Sequence, residues 1–284
     1  MGWCLAAWAA EEGHAIPEAP NFITVLLSWM HEGPLSQWLH AWENVMFAVL
    51  LACGLAGALL FAVRRTTIIP GRAQALAELI VETFEQAFVT SLGSYTRRFL
   101  PFLGTLFLYI LTMNWAVLIP GFKSPTGGII LNGSEVISGG FVTTAALAIA
   151  VFCYVQFTAV RFQGPLGYLH HLMGSPRGAG EWFLCLVTLA PVTHILGELV
   201  RPVSLALRLF GNVTGDDILL GVFFVLGLLA LKPLHVPMGL PLHVLIVPLV
   251  LLFGFVQAMI FTWLTSAYLS LALPHGHAQH KGGG

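Results

Sequence analysis

Four long stretches of this sequence contain no Asp, Glu, Lys or Arg, and each is long enough to cross a lipid bilayer as a helix. They are Asn44 to Val63, Phe99 to Phe122, Val136 to Val160 and Pro233 to His280. A spanning helix needs about 20 consecutive apolar residues. Of the 284 residues, 57% are hydrophobic and 9% are charged, whereas roughly 25% are charged in an average soluble domain. The sequence therefore predicts an all-α membrane protein.

The placement of the basic residues predicts how the chain is oriented. The net charge of -1 does not itself indicate a partner, and no nucleic-acid partner is expected. The positive-inside rule places residues 1–40 outside the cell and residues 274–284 in the cytoplasm as a tail. Lys123 and Lys232 then lie on the outer side, and the remaining loop cations share the cytoplasmic side: Arg64, Arg65, Arg72, Arg97, Arg98, Arg161, Arg177 and Lys281.

Neither the cysteines nor the terminal histidines predict a metal or cofactor site. The four cysteines lie far apart without the spacing of metal ligands: Cys4, Cys53, Cys153 and Cys185. They are interpreted as small buried hydrophobic residues. The histidines at 275, 277 and 280 indicate a disordered tail rather than a metal site. Residues 1–10 are apolar but lack a basic start, so they are a poor signal peptide, and cleavage near Ala10 stays open.

Residues 72–92 have the pattern of an amphipathic helix rather than that of a membrane span. Apolar side chains recur every four residues on one face, and acidic side chains fall on another. The apolar series is Leu76, Ile80, Phe84 and Phe88, and the acidic series is Glu78, Glu82 and Glu85. We expect this helix to lie on the cytoplasmic surface of the membrane.

The remaining chain divides into the later spans and their connections. We expect residues 164–180, which include Pro176 and Arg177, to form a polar cytoplasmic loop after the third span. Residues 182–231 read as helix, but about 50 residues at 1.5 Å each exceed the bilayer thickness, so this helix must tilt or break. A last helix is predicted over about 242–273. Residues 182–273 thus form a long hairpin, and about five spans with one surface helix make a single membrane domain.

Arg208 is the most informative charge within these spans. A charged side chain at the middle of a membrane costs roughly 3 kcal/mol on insertion scales, so it usually faces water, a partner charge or an ion pathway. Arg201, Ser204, Arg208 and Asn212 fall on one helical stripe. Glu198 can pair with Arg201, but no acid lies three or four residues from Arg208. We therefore expect the counter-charge of Arg208 to come from elsewhere.

Polar residues on the neighbouring helices complete the candidate ion path. Gln257 and Tyr268 share a face of the last helix, and Gln257 is predicted to hydrogen-bond the Arg208 stripe. His243, Asp216 and Asp217 can exchange protons or hold water, as an access channel requires.

The run from Arg201 to Asn212, RPVSLALRLFGN, followed by an acidic residue, resembles the signature of subunit a of F-type ATP synthases. Three shorter matches support the resemblance: Met113-Asn114 before Leu118-Ile119-Pro120, Val256-Gln257-Ala258, and Tyr268-Leu269-Ser270. The order of spans also agrees after about residue 40.

The resemblance implies a stator subunit of the Fo sector that conducts protons and is not itself an enzyme. In this family two offset half-channels meet near an essential arginine, which corresponds to Arg208, and carboxylates of the rotating c-ring carry the proton between them. Ser204, Asn212 and Gln257 match polar positions at the interface, and Asp217 matches an acidic channel position. The implied partners are the c-ring proteolipids, peripheral stalk b subunits, indirectly the F1 sector, and the lipid of a bacterial inner membrane.

Two positions depart from the family pattern. The third span begins with Ser138-Gly139-Gly140 where many members have an acidic or amide residue, and Val250 replaces a histidine or glutamate. The hypothesis that follows is that His243 or Asp216 compensates in the outer half-channel.

Several alternative interpretations stay open. Glu198 and Arg201 can form a purely structural pair, Asp216 and Asp217 an interfacial acidic pair, and His194 either a hydrogen-bonded interior residue or a proton relay. A stand-alone transporter or ion channel would also place charge on broken helices. An intramembrane hydrolase would need a nucleophile with its base or a zinc motif, and the sequence contains neither.

Overall fold

The computed structural model describes residues 38, 42–63, 71–119, 125, 140–172, 190–231 and 242–273. Within these ranges the regular structure is helical. The expectations for most of the N-terminal segment, for residues 173–189 and for the C-terminal tail lie outside the described residues.

Six α-helices follow one another along the described chain. They are α1 (Glu43–Val63), α2 (Arg72–Leu92), α3 (Thr96–Trp115), α4 (Gly140–Leu172), α5 (Ala190–Leu231) and α6 (His243–Ala272). Short 3-10 turns stand at Gly93–Tyr95 and Ala116–Leu118. The predicted bounds of the amphipathic helix and of the last helix agree with those of α2 and α6.

Five helical segments are long and apolar enough to cross a membrane, as predicted. They are Glu43–Phe61, Glu78–Leu118, Gly140–Gly164, Leu196–Gly227 and Val244–Ala272. The second segment joins part of α2 to α3. Its 41 residues would extend about 60 Å as a straight helix, which is twice the hydrocarbon thickness of a bilayer. α3 alone has 20 residues, or about 30 Å, and is therefore the part that matches one crossing.

The chain bends between α2 and α3 at Gly93, where φ is 55°. A positive φ is accessible to glycine at little cost, and it lets α2 pack back against α3. The ring of Phe84 on α2 packs against that of Phe107 on α3, with 4.8 Å between the ring centres. Glu82, on the opposite face of α2, is exposed. The predicted amphipathic pattern is therefore present in the folded helix.

α4 extends further than the sequence indicated. Residues 164–172 were predicted to belong to a polar loop, but they continue as helix after a break at Gly164, where φ is 74° and ψ is 160°. The positive φ permits a sharp change of direction, after which the backbone hydrogen bonds resume. The prediction of a loop was therefore wrong for these nine residues.

α5 continues through all 42 of its described residues, with Pro202 inside it. Its length is about 63 Å, so the alternative of a tilted helix, rather than a broken one, applies between residues 190 and 231.

The described helices pack around α6, which contacts α2, α3, α4 and α5. Phe99, Leu103, Phe107, Leu209 and Phe261 belong to the shared buried core. α1 contacts α2, α3 and α4, and its buried residues form a small separate cluster with α3 around Leu51 and Met113. Many large apolar side chains point outward, as expected where lipid rather than water surrounds the protein.

Candidate ion path on α5 and α6

Arg201 is held by a carboxylate one turn earlier on α5. Its Nη1 donates to Oε1 of Glu198 at 2.7 Å, and the other carboxylate oxygen of Glu198 accepts from Nε2 of Gln156 on α4 at 3.3 Å. The predicted Glu198–Arg201 pair is therefore present. Because both oxygens of Glu198 are engaged, the charge of Arg201 is compensated within this chain.

Tyr268 on α6 closes this cluster from the other side. The guanidinium carbon of Arg201 lies 4.9 Å from the centre of the Tyr268 ring, over its face. Glu198, Arg201 and Tyr268, together with Val151 and Phe152, line a small recess between α4, α5 and α6. Of the predicted site residues, Glu198 and Tyr268 are thus brought together at this end of the stripe.

Arg208, seven residues further along the same stripe, has a different environment. Its side chain is exposed, as is that of Ser204. Val203 and Leu207 beside it are also exposed, by 52% and 53%. The part of the chain that the structure describes gives Arg208 no ion pair or hydrogen bond. No counter-charge for Arg208 is therefore found among the described residues, and the expectation that it comes from elsewhere stays a prediction.

The two acids after the stripe occupy unequal positions. Asp216 is only 5% exposed, and its Oδ2 accepts a hydrogen bond from Nδ2 of Asn212 at 3.3 Å. Asp217, the next residue around the helix, is half-buried. Asn212 thus links the Arg208 stripe to Asp216, whereas the resemblance had pointed to Asp217.

Gln257 points into the helix bundle and is 6% exposed. Its amide nitrogen is buried without a hydrogen-bond partner. The predicted hydrogen bond from this residue to the Arg208 stripe is not formed by that nitrogen. This donor has no partner among the described residues, and a buried donor without a hydrogen bond is costly.

Asn114 binds α6 one turn before Gln257. Its Nδ2 donates to the carbonyl oxygen of Gly254 at 3.0 Å, and Nε1 of Trp115 donates to that of Leu251 at 3.2 Å. A Cβ added at Gly254 would lie 3.1 Å from Cβ of Asn114 and 3.3 Å from Cδ1 of Trp115. Gly254 is therefore required for the close approach of α3 and α6.

The two histidines of the predicted path are placed by backbone only. His243 begins α6 and His194 lies in the first turns of α5, while their side chains lie outside the described residues.

Sequence reasoning missed Gln156, Trp115 and Gly254. A signal for Gln156 was present, because it is the one amide within the uncharged run from Val136 to Val160. Trp115 and Gly254 look like ordinary residues of apolar helices, and their roles depend on a contact between segments 136 or more residues apart. In the described residues no group of three His, Cys, Asp or Glu side chains is arranged to hold a metal ion.

The chain matches a known protein family over most of its length. Residues 45–270 match the ATP synthase A chain family. The chain belongs to this family. The match contains nearly all of α1, the whole of α2 to α5 and nearly all of α6. It therefore includes every residue described above as part of the candidate path.

Relatives of this family are similar over nearly their whole length. ATP synthase subunit a of Protochlamydia amoebophila is 40% identical over 258 residues, which cover 91% of this chain and 90% of the relative. ATP synthase subunit a 1 of Syntrophotalea carbinolica is 35% identical, covering 89% of this chain and 92% of the relative. ATP synthase subunit a of Moorella thermoacetica is 32% identical, covering 87% and 95%. The family predicted from the Arg201–Asn212 run is confirmed.

Proposed function

We propose that this chain is the stator subunit a of an F-type ATP synthase Fo sector and conducts protons to and from the carboxylates of a rotating c-ring. The observation that carries the proposal is the exposure of Arg208 among apolar residues, without an ion pair in the described chain. A permanent cation within a membrane span needs a partner charge, and here it faces outward, where another subunit can supply one.

In this mechanism Arg208 acts on a carboxylate that arrives from the c-ring. An arginine keeps its charge at any accessible pH, so it cannot take the proton itself. It instead favours the ionised form of a carboxyl group that comes within a few ångströms, so the proton is released. Because the positive charge also repels a proton in transit, Arg208 separates the two half-channels.

Polar residues deeper in the bundle supply the access paths in this proposal. Asn212 and Asp216 extend the stripe inward, and Asp217, Gln257 and His243 contribute further proton-binding or water-binding groups. Asn114 anchors the helix that carries Gln257. His194 and Tyr268 are assigned to the path less directly, since Tyr268 packs on Arg201 rather than beside Arg208.

The protein would reside in a bacterial inner membrane, with its N-terminus outside and its C-terminus in the cytoplasm. The position of Arg98 over the ring of Phe162 supports this orientation, because it places the cations at 97, 98 and 161 at one end of the bundle. Peripheral stalk b subunits and, through them, the F1 sector complete the assembly, and the chain itself catalyses no covalent step.

Purification in a mild detergent tests the assembly. We expect the chain to be recovered together with a small two-helix proteolipid in several copies. Recovery as a lone oligomer without such a proteolipid would contradict the proposal and favour a stand-alone transporter.

ATP-driven proton pumping in the reconstituted complex tests the mechanism. Arg208→Ala is expected to abolish pumping, and intact pumping would refute the role given to Arg208. His243→Ala and Asp216→Ala test the narrower hypothesis on the outer half-channel, which would be wrong if both variants pumped protons at the normal rate.

A further inference from the structure

Two neighbouring arginines at the start of α3 have different surroundings. Arg97 pairs with Glu85 of α2, with Nε 2.8 Å from Oε1. Arg98, the next residue around the helix, turns toward α4, where its guanidinium carbon lies 4.9 Å from the centre of the Phe162 ring. The acidic face of α2 therefore neutralises Arg97 but not Arg98.

Phe162 holds Arg98 next to a second exposed arginine. The Phe162 ring packs against the rings of Tyr95 and Phe99, with 5.7 Å and 6.4 Å between the ring centres. These contacts fix its position beside the first turn of α3. Arg161 precedes it in the chain, and both Arg98 and Arg161 are exposed. The described residues provide no carboxylate for either of them. Two exposed cations, one packed on the Phe162 ring and one next to Phe162 in the chain, are thus left without an anion among the described residues.

Just before its kink, α4 is hydrogen-bonded to α6 near this surface. Nε2 of Gln163 donates to the carbonyl oxygen of Ala272, at the last turn of α6, at 2.8 Å. The helix then breaks at Gly164, where φ is 74°. These two features place the backbone segment that carries Arg161 and Phe162 against the end of α6.

This surface lies at the level where lipid headgroups are found. Arg98 is in the first turn of α3, a helix of 20 residues whose length of about 30 Å matches the hydrocarbon core. Arg161 is near the end of the segment Gly140–Gly164, which is apolar enough to span a membrane. Arginines at such ends extend their charged groups toward the phosphate layer.

We propose that Arg98 and Arg161 together bind the phosphate of an anionic phospholipid. A guanidinium donates two parallel hydrogen bonds to phosphate oxygens, and basic pockets between membrane helices are suited to anionic headgroups. The ring of Phe162 keeps Arg98 in place through a cation–π contact. A zwitterionic headgroup carries no net charge, so it would satisfy this pair of cations less well.

Native mass spectrometry of the full chain in mild detergent tests the site, with dioleoyl phosphatidylglycerol and dioleoyl phosphatidylcholine as probes. We expect the wild type to retain the anionic lipid preferentially. Arg98→Gln and Arg161→Gln should each weaken that retention about fivefold, since one juxtamembrane arginine contributes an effect of this size. Arg98→Lys, which keeps the charge, should retain most of the binding. The binding should also weaken as salt is raised.

The matched control is the double variant Arg97→Gln with Glu85→Gln, which removes a neighbouring pair without changing the net charge. It should bind the anionic lipid as the wild type does, and circular dichroism of every variant should show unchanged helix content.

Three results would overturn the proposal. They are equal retention of the two lipids by the wild type, an equal loss in the control double variant, and unchanged binding in Arg98→Gln and Arg161→Gln. Displacement of the lipid by millimolar inorganic phosphate would assign the site to a free anion instead.

Discussion

Arg201 and Arg208 lie on one stripe of α5, seven residues apart, yet their side chains have opposite surroundings. Arg201 has a carboxylate at 2.7 Å and an aromatic ring against its guanidinium group. Arg208 is exposed, and the described chain supplies no partner for its charge. A partnered cation contributes to the packing of three helices, whereas a cation without a partner in an apolar surface fits the role in proton transfer proposed above for Arg208.

The largest expected effect comes from replacing each of the two arginines in turn, in a matched pair of variants. Arg208→Gln should lower ATP-driven proton pumping by about a hundredfold, the size of effect expected when a preorganised electrostatic group is removed. Its thermal unfolding temperature should stay unchanged, because the exposed Arg208 makes no ion pair or hydrogen bond with the described residues. Arg201→Gln should lower the unfolding temperature and leave measurable pumping. The same pattern in both variants would remove the distinction between them.

The Glu198–Arg201 pair is expected to contribute about 2 kcal/mol to stability, because it is a charged hydrogen bond in a largely buried place. A double-mutant cycle with Glu198→Gln and Arg201→Gln, measured by chemical unfolding in detergent, isolates this coupling energy. Additive effects of the two single variants would contradict the pairing. Arg208→Gln combined with Glu198→Gln is the control, and there additivity is expected.

Gly254→Ala should destabilise the protein by about 1–2 kcal/mol, because the added methyl group would overpack the junction between α3 and α6. The contacts at risk are Cβ of Asn114 at 3.1 Å and Cδ1 of Trp115 at 3.3 Å. Gly104→Ala is the control, since no atom lies within 4 Å of its added Cβ. Thermal unfolding of both variants measures the difference, and equal values would show that the junction can relax.

The smallest effect is expected at Tyr268. Tyr268→Leu removes the ring from the guanidinium group of Arg201 and should cost about 1 kcal/mol, whereas Tyr268→Phe keeps the cation–π contact and should be neutral. Unfolding and pumping are measured on both variants. Normal stability with impaired pumping in Tyr268→Phe would move Tyr268 from the structural cluster to the proton path.

Hydropathy and periodicity predicted the helices well because each is long and either mostly apolar or, like α2, regularly amphipathic. The bounds of α2 and α6 followed from where apolar residues begin and end. The missed helix at residues 164–172 shows the limit of this reasoning. Glycine and polar residues there resemble a loop, but Gly164 only redirects the chain, and the helix resumes after it. The neighbouring residues Gln163 and Phe162 contact Ala272 and Phe99, which local sequence patterns do not reveal.

The candidate site was predictable as a stripe but not as a set of contacts. The 3.6-residue period of a helix places Arg201, Ser204, Arg208 and Asn212 on one face whatever surrounds them. The period does not say which residues of other helices face that stripe. Gln257 illustrates this, because its amide nitrogen is buried without a partner instead of reaching the stripe as expected.

The sequence alone determined that this protein lies in a membrane, which family it belongs to, where most of its helices run, and that Arg208 is a cation within a span that has no acid on its own helix face. These features follow from hydropathy and helical period, which are properties of neighbouring residues. Only the tertiary structure decided that Glu198 is shared between Arg201 and Gln156, that Asn114 and Trp115 fasten α6 at Gly254, and that Arg208 faces outward. Those outcomes depend on how α3, α4, α5 and α6 pack together, and packing joins residues that are far apart in the chain.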